Sequence, residues 1–260
     1  MSDLGPAEML DNYKNIVCDV DGGQVVVSVN KYRNANNAAD KGGTQNAVIV
    51  KDKLKYIASD AWQRAGGSVA YVETFMGKGS PGSIKGVLET FADYSAQFIK
   101  TYGKGTATLE GKIAGILAND DISWTETLQQ VCDACIGLDC NGFVGNWLKA
   151  VQPDFKLGPN SKPDVVRAKA QAYRSDVSEI EYWDVMCYAA NEHIAAVHDD
   201  GHAPGRFQVV QSAGGGPRIN EFAFIPTGRE TVAGEVRQKF KLGAPTKNDI
   251  GYDFYVISLW

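Results

Sequence analysis

The strongest constraint on the fold is a change of period along the chain. Between Ile84 and Val151 the apolar residues recur every three or four positions, the spacing of helices with one buried face. From Tyr182 the texture becomes short β-type runs separated by turn residues: YWDVMCYAA, HIAAVH, RFQVVQSA, EFAFIP and DFYVISLW. Helices followed by an antiparallel meander are the order of an α+β fold.

Within that order, SIKGVLETFADYSAQFIKTYGKG reads as one long helix, with Ile84, Val87, Leu88, Phe91, Tyr94, Phe98, Ile99 and Tyr102 on one face and glycine to stop it. WTETLQQVCDACIG is a second helix, opened by a capping box of Ser123 and Glu126. The first fifty residues are mixed. GQVVVSVNKY and NAVIVKD are strand-like, the polar run RNANNAADKGGTQN between them reads as a loop, and KYIASDAWQRA as a short helix. MGKGSPGS (76–83) is the clearest break, and QPDFKLGPNSKPD (152–164) a proline-rich loop. The expectation is an N-terminal region of mixed α and β, 1–105, without an assigned role, followed by a domain over 106–260.

Bulk properties exclude several functions. A net charge of −5 argues against a nucleic-acid backbone or an anionic membrane as the main partner. No apolar run approaches the ~20 residues of a membrane span. MSDLGPAEMLDNYKN lacks a basic stretch followed by an apolar core, so no secretory signal is expected, and export would need another route. Five cysteines, Cys18, Cys132, Cys135, Cys140 and Cys187, are an odd count, which leaves at least one thiol outside any pairwise bridging. Cys132, Cys135 and Cys140 have a spacing seen in metal sites, but Cys132 and Cys135 also fall on the apolar face of their helix and no downstream pair completes a ligand set. No metal or organic cofactor is expected.

The chemistry concentrates in GLDCNGFVGNW (137–147). Phe143, Val144, Trp147, Leu148 and Val151 keep a helical period, and Asp139 has the chemistry of an N-cap, which sets Cys140 in the first turn. Free N–H groups and the helix dipole favour a thiolate there and can receive an oxyanion. Gly142 and Gly145 bare one side of the helix to close approach. The same pattern also fits a buried structural cysteine.

The three histidines, His193, His198 and His202, lie within ten residues of one another. If HIAAVH and RFQVVQS form a hairpin centred on His202, His198 stands opposite Arg206 and His193 opposite Gln211. An amide oxygen there would accept Nδ1–H and leave Nε2 for the thiol. A register slip would bring Val210 or Ser212 opposite instead. His198 and His202 beside Asp199 and Asp200 admit a metal site or, equally simply, a solvated loop.

These residues resemble a known family. GLDCNGFVGNWL is similar to the nucleophile motif of NlpC-type cell-wall endopeptidases and the related CHAP amidases, usually Asp-Cys-Ser-Gly followed by Phe or Leu and Val. YWDVMCYAANEHIAAVHDDG resembles their histidine motif, and VVQSAGGGP the strand of their third polar residue. The resemblance covers about residues 123–225. It implies a papain-like core with the nucleophile helix packed on an antiparallel sheet, Cys140 as nucleophile, His193 as general base and Gln211 as orienting residue. Asp139, Asn141 and Gly142 match positions flanking the nucleophile and its oxyanion donors. Asn141 replaces the usual serine, Trp183 the usual glycine before Asp184, and the upstream Tyr-x-Trp-Gly-Gly run is missing. The implied substrate is a peptidoglycan stem-peptide amide. The implied setting is an antibacterial effector delivered to a target periplasm by a secretion apparatus and checked in its producer by an immunity protein. Rival readings are a papain-like protease, deamidase or acyltransferase acting on protein or lipid, and a catalytically dead binding module.

Overall fold

The computed structural model describes residues 3–33, 41–190, 192–200, 203–243 and 253–260. In chain order the elements are α1 (Pro6–Lys14), β1 (Ile16–Val20), β2 (Gly23–Val27), α2 (Lys41–Ile57), α3 (Ala61–Arg64), α4 (Ser68–Phe75), α5 (Pro81–Asp93), α6 (Ser95–Tyr102), α7 (Leu109–Leu117) and α8 (Trp124–Cys135). They continue with α9 (Cys140–Val151), α10 (Pro163–Arg167), β3 (Ala172–Tyr173), β4 (Val185–Tyr188), β5 (Ile194–Asp200), β6 (Arg206–Ala213), β7 (Gly216–Val232), β8 (Glu235–Gly243) and β9 (Phe254–Ser258). The protein is mixed α+β with antiparallel sheets. Two compact units share the chain. A helical unit takes Asp11–Gly142 with Ala213–Pro217, and a sheet unit takes Met1–Leu10, Phe143–Ser212 and Arg218–Trp260. One of the passages between them falls inside α9, at 142–143.

In the helical unit, the capping box expected for α8 is present in both directions between Ser123 and Glu126. Leu128, Val131, Cys132 and Cys135 form its buried face. Two expectations need correction. NAVIVKD is not a strand but part of α2, and the reason is burial spacing: Ala47, Val50, Leu54 and Ile57 are the buried positions, three or four apart, while Ile49 and Tyr56 face solvent. Packing of that stripe overrides the β-branched run. Of the loop expected before it, residues 34–40 lie outside the described residues and 41–46 begin α2. The long helix over 83–105 is also two helices, α5 and α6, parted at Tyr94. The Tyr94 hydroxyl donates to Asp60 Oδ1 at 3.0 Å and Arg64 lies over its ring, so this residue leaves the stripe that Ile84, Val87, Leu88, Phe91 and Phe98 continue.

In the sheet unit the strands run in the order β3-β9-β4-β5-β6-β7-β8. Pairing of Phe240 with Phe254 joins β8 to β9 and closes the sheet on itself. Period-two alternation sends Met186, Ala195, Val197, Phe207, Val209 and Phe224 into the enclosed core, where Phe240, Phe254 and Val256 meet them. The opposite face of the central strands, with Val185, Cys187, Ala196 and Ile257, is buried as well. In the part of α9 within this unit, Phe143, Val144, Trp147, Leu148 and Val151 are all buried, the stripe read from the sequence. Trp147 meets Trp183 and Trp260 edge-on, with ring centroids 6.2 and 6.1 Å away. Among the described residues no helix is long and apolar enough to cross a membrane.

Candidate active site

Cys140 is the first residue of α9 and is 2% exposed. Asp139 caps the helix: its Oδ1 accepts the Gly142 N–H at 2.5 Å, as its sequence position suggested. The Gly142 N–H is thereby committed to the cap. Burial pushes the Asp139 carboxyl upward, and the charge and hydrogen bond of Lys78, with the N–H groups of Gly142 and Asn141, oppose that rise. Lys78 Nζ lies 2.6 Å from Asp139 Oδ2, and the two side chains are 13% and 3% exposed. Asn141 is half-buried, and its Oδ1 has no hydrogen-bond partner among the described residues.

Two distant segments hold this helix start. The Asp139 N–H donates to Gly77 O at 2.8 Å, and a Cβ at Gly142 would collide with that same carbonyl, so glycine is required for the approach. On the other side Leu138 N–H donates to Lys31 O at 2.9 Å. Arg33, 8% exposed, spends its guanidinium on the C-terminal carbonyls of α8 and the residue beyond: Ile136 O at 3.1 Å, Asp133 O at 3.0 Å and Ala134 O at 2.7 Å. These are helix-end acceptors without intrahelical donors. Arg33→Met would leave them buried and unpaired, and should lower the unfolding free energy by about 2–3 kcal/mol, read from a denaturant midpoint. An unchanged midpoint would show that water replaces the guanidinium.

All five cysteines are buried thiols. Burial pushes Cys18 and Cys135 up to about 12 and also raises Cys132 and Cys187. Those four are therefore poor nucleophiles near neutral pH.

In the sheet unit, His193 and Gln211 are brought together, with Nε2 2.7 Å from Gln211 Oε1. The register differs from the hairpin arithmetic. Ala196 pairs with Val210 and Val197 with Val209, two residues away from the expected alignment, so Gln211 is a diagonal neighbour of His193 rather than its direct opposite. An even displacement keeps the face, and a diagonal neighbour is within reach of a long side chain. His198 does not pair with Arg206: it falls in a bulge between Val197 and Asp199, and Arg206 bonds Glu221 instead. His198 Nδ1 is buried with no partner among the described residues, and His202, its suggested companion in a metal site, lies outside them.

The ring nitrogens are also the reverse of the expectation. Arg218 Nε donates to Asn220 Oδ1 at 2.9 Å, and Gln211 Nε2 donates to the same oxygen at 3.0 Å. Gln211 Oε1 must then face the imidazole and accept Nε2–H, which leaves the Nδ1 lone pair as the basic site of neutral His193. By strand alternation Tyr188, His193, Gln211 and Asn220 lie at one end of the row that runs into the sheet's enclosed core, and Tyr188 packs edge-on against the imidazole at 5.3 Å. Burial lowers the His193 pKa, the Gln211 hydrogen bond works against this, and the Arg218 charge adds to it. Arg218 was not singled out from the sequence; its signal was its alternation with Asn220 just before the apolar EFAFIP run. Lys78 and Arg33 carried none, since their partners are about 60 and 100 residues away.

No family model, curated protein or solved structure matches the chain.

Proposed function

We propose that the protein is a cysteine hydrolase of amide bonds, with Cys140 as nucleophile, His193 as general base and Gln211 as the residue that orients it. The observation carrying this reading is the ordered relay Arg218–Asn220–Gln211–His193, which selects one imidazole tautomer and leaves Nδ1 basic. Such a relay holds the imidazole in the single tautomer that a general base requires. The capped helix start at Cys140 adds support. So does Trp183, which stands where the NlpC-type and CHAP pattern has glycine. Its φ is +76°, a conformation that disfavours side chains by about 1 kcal/mol and that glycine adopts without strain.

In this reading His193 Nδ1 takes the proton of the Cys140 thiol, and the sulfur attacks the amide carbonyl carbon. Backbone N–H at the start of α9 stabilises the oxyanion of the tetrahedral adduct. As the C–N bond breaks, the imidazolium returns its proton to the leaving amine and a thioester remains. Water, deprotonated by His193, then attacks the thioester, releasing the carboxylic acid and regenerating the thiol.

The substrate class follows from the resemblance: a stem-peptide or glycan–peptide amide of peptidoglycan, met in the periplasm of a target bacterium after delivery by a secretion apparatus, with an immunity protein restraining the enzyme in its producer. The papain-like core belongs to the same reading. Digestion of purified sacculi should release muropeptides bearing one new amine and one new carboxylate per cut, identified by mass spectrometry and absent with Cys140→Ala. Intact sacculi alongside hydrolysis of a peptide or protein amide would move the substrate class to the protease or deamidase alternative.

A further inference from the structure

Residues outside the stretch that resembles the hydrolases build the mount of the thiol. Asp139 is needed as a cap, yet a carboxylate directly before a thiolate opposes it by like-charge repulsion. Lys78 meets that carboxylate in a buried ion pair, and its backbone is tied down on both sides. Its N–H donates to Glu73 O at 2.8 Å, and the preceding Gly77 carbonyl takes the Asp139 N–H. Gly77 has φ +79°, and a Cβ there would strike the Arg33 carbonyl oxygen, so the loop is pressed between the 31–33 segment and the helix start. Of the two cations on the neighbouring 31–33 segment, Lys31 meets the helix start through its backbone carbonyl and Arg33 has its guanidinium engaged with carbonyls, whereas Lys78 pairs with Asp139. In the sheet unit, among the described residues, the proposed base His193 has Arg218 as a charged neighbour and Tyr188 as a titratable one against its ring.

We propose that Lys78 is a positioning residue of the Cys140 site: its ammonium neutralises the Asp139 carboxylate, so that the cap holds the helix start without opposing negative charge on the next side chain. The inference rests on Cys140 being the nucleophile. An uncharged cap would hold the helix without this cost, but a carboxylate is the stronger acceptor for N–H groups of the first turn. Lysine restores neutrality locally, and its burial with Asp139 keeps solvent from screening the pair.

The test is the pH dependence of iodoacetamide alkylation at Cys140, located by peptide mass spectrometry, for wild type, Lys78→Arg, Lys78→Met and the double variant Lys78→Met with Asp139→Asn. The four other thiols, held protonated by burial, give the internal baseline. In Lys78→Met the midpoint of the alkylation profile should rise by roughly one pH unit and the rate at pH 7 fall about tenfold. Lys78→Arg should stay within a few-fold of wild type. The double variant should return toward the wild-type midpoint, because both charges are gone; loss of packing would not be repaired by a second substitution. If Lys78→Met does not fold, the double variant, which buries no unpaired charge, gives the reading by itself: a wild-type midpoint supports the proposal and a raised one overturns it. An unchanged midpoint in folded Lys78→Met overturns the role of Lys78 and leaves the hydrolase reading standing. Wild type with no preferential reaction at Cys140 and no amide hydrolysis overturns both.

Discussion

Cys140→Ala should lose roughly 10⁴-fold or more in amide hydrolysis, because the covalent step has no other nucleophile to pass through. Its stability should fall by only about 1–2 kcal/mol, the scale of a small buried deletion. Cys132→Ala is the informative contrast. Cys132 is fully buried on α8, its sulfur donates to Ser28 O at 3.7 Å, and burial holds it protonated. It should lose a similar amount of stability and keep its rate per folded molecule. The comparison separates chemistry from packing, since the two residues are alike in size and burial and differ in their place on a helix. Initial rates on a purified muropeptide, together with denaturant unfolding of each variant, decide it. Equal turnover in folded Cys140→Ala would remove the thiol from the mechanism.

What the sequence made legible was local. The Asp139 cap, the Ser123–Glu126 box and the buried stripe of α9 each depend on residues within one or two turns, where period and capping chemistry are strong signals. The nearness of His193 to Gln211 was legible through strand alternation, which survives a two-residue error because faces repeat every two residues. Where the sequence misled, a longer-range term decided. The run Ala47–Val50 has strand-like composition, yet its buried positions continue to Leu54 and Ile57 at helical spacing, so tertiary packing set the element. The choice of ring nitrogen at His193 hangs on Asn220 and Arg218, two residues on the next strand whose side chains turn the Gln211 amide. The strand β8 was missed although Gln238, Phe240 and Leu242 alternate in burial, because lysine and arginine fill the outer positions and mask the pattern. The ion pair of Lys78 with Asp139 joins positions 61 residues apart, and no local rule connects them.

The relay behind His193 makes the remaining large prediction. Gln211→Ala removes the acceptor for Nε2–H, so the imidazole can adopt the wrong tautomer and turn about χ2. The loss in kcat should be on the order of 10–10³, below the ~10⁴ known for an inverted tautomer in a serine protease triad, because the amide carries no charge to stabilise imidazolium. Asn220→Leu should reproduce part of that loss, about tenfold, since Gln211 would keep its place but could present NH₂ to the ring. Gln211→Glu reverses the electrostatics. Burial holds the wild-type His193 pKa below its ordinary value, so the neutral ring contributes stability above about pH 6.5 that is lost as pH falls toward the folded value. A carboxylate against Nε2 should raise the folded pKa and invert that sign, giving stability at low pH that is lost as pH rises through the new value. For this, Asn220 must turn its NH₂ toward the carboxylate, since its Oδ1 would otherwise oppose another acceptor, and Arg218 Nε–H then loses that oxygen as its acceptor. The acidic limb of the kcat/KM profile should accordingly move to higher pH in Gln211→Glu, because a greater share of His193 is protonated and cannot accept the thiol proton. The profile of Gln211→Ala should not show that upward movement. An acidic limb in the same place for wild type and Gln211→Glu, with both variants folded, would mean that His193 is not the base whose protonation the profile reports.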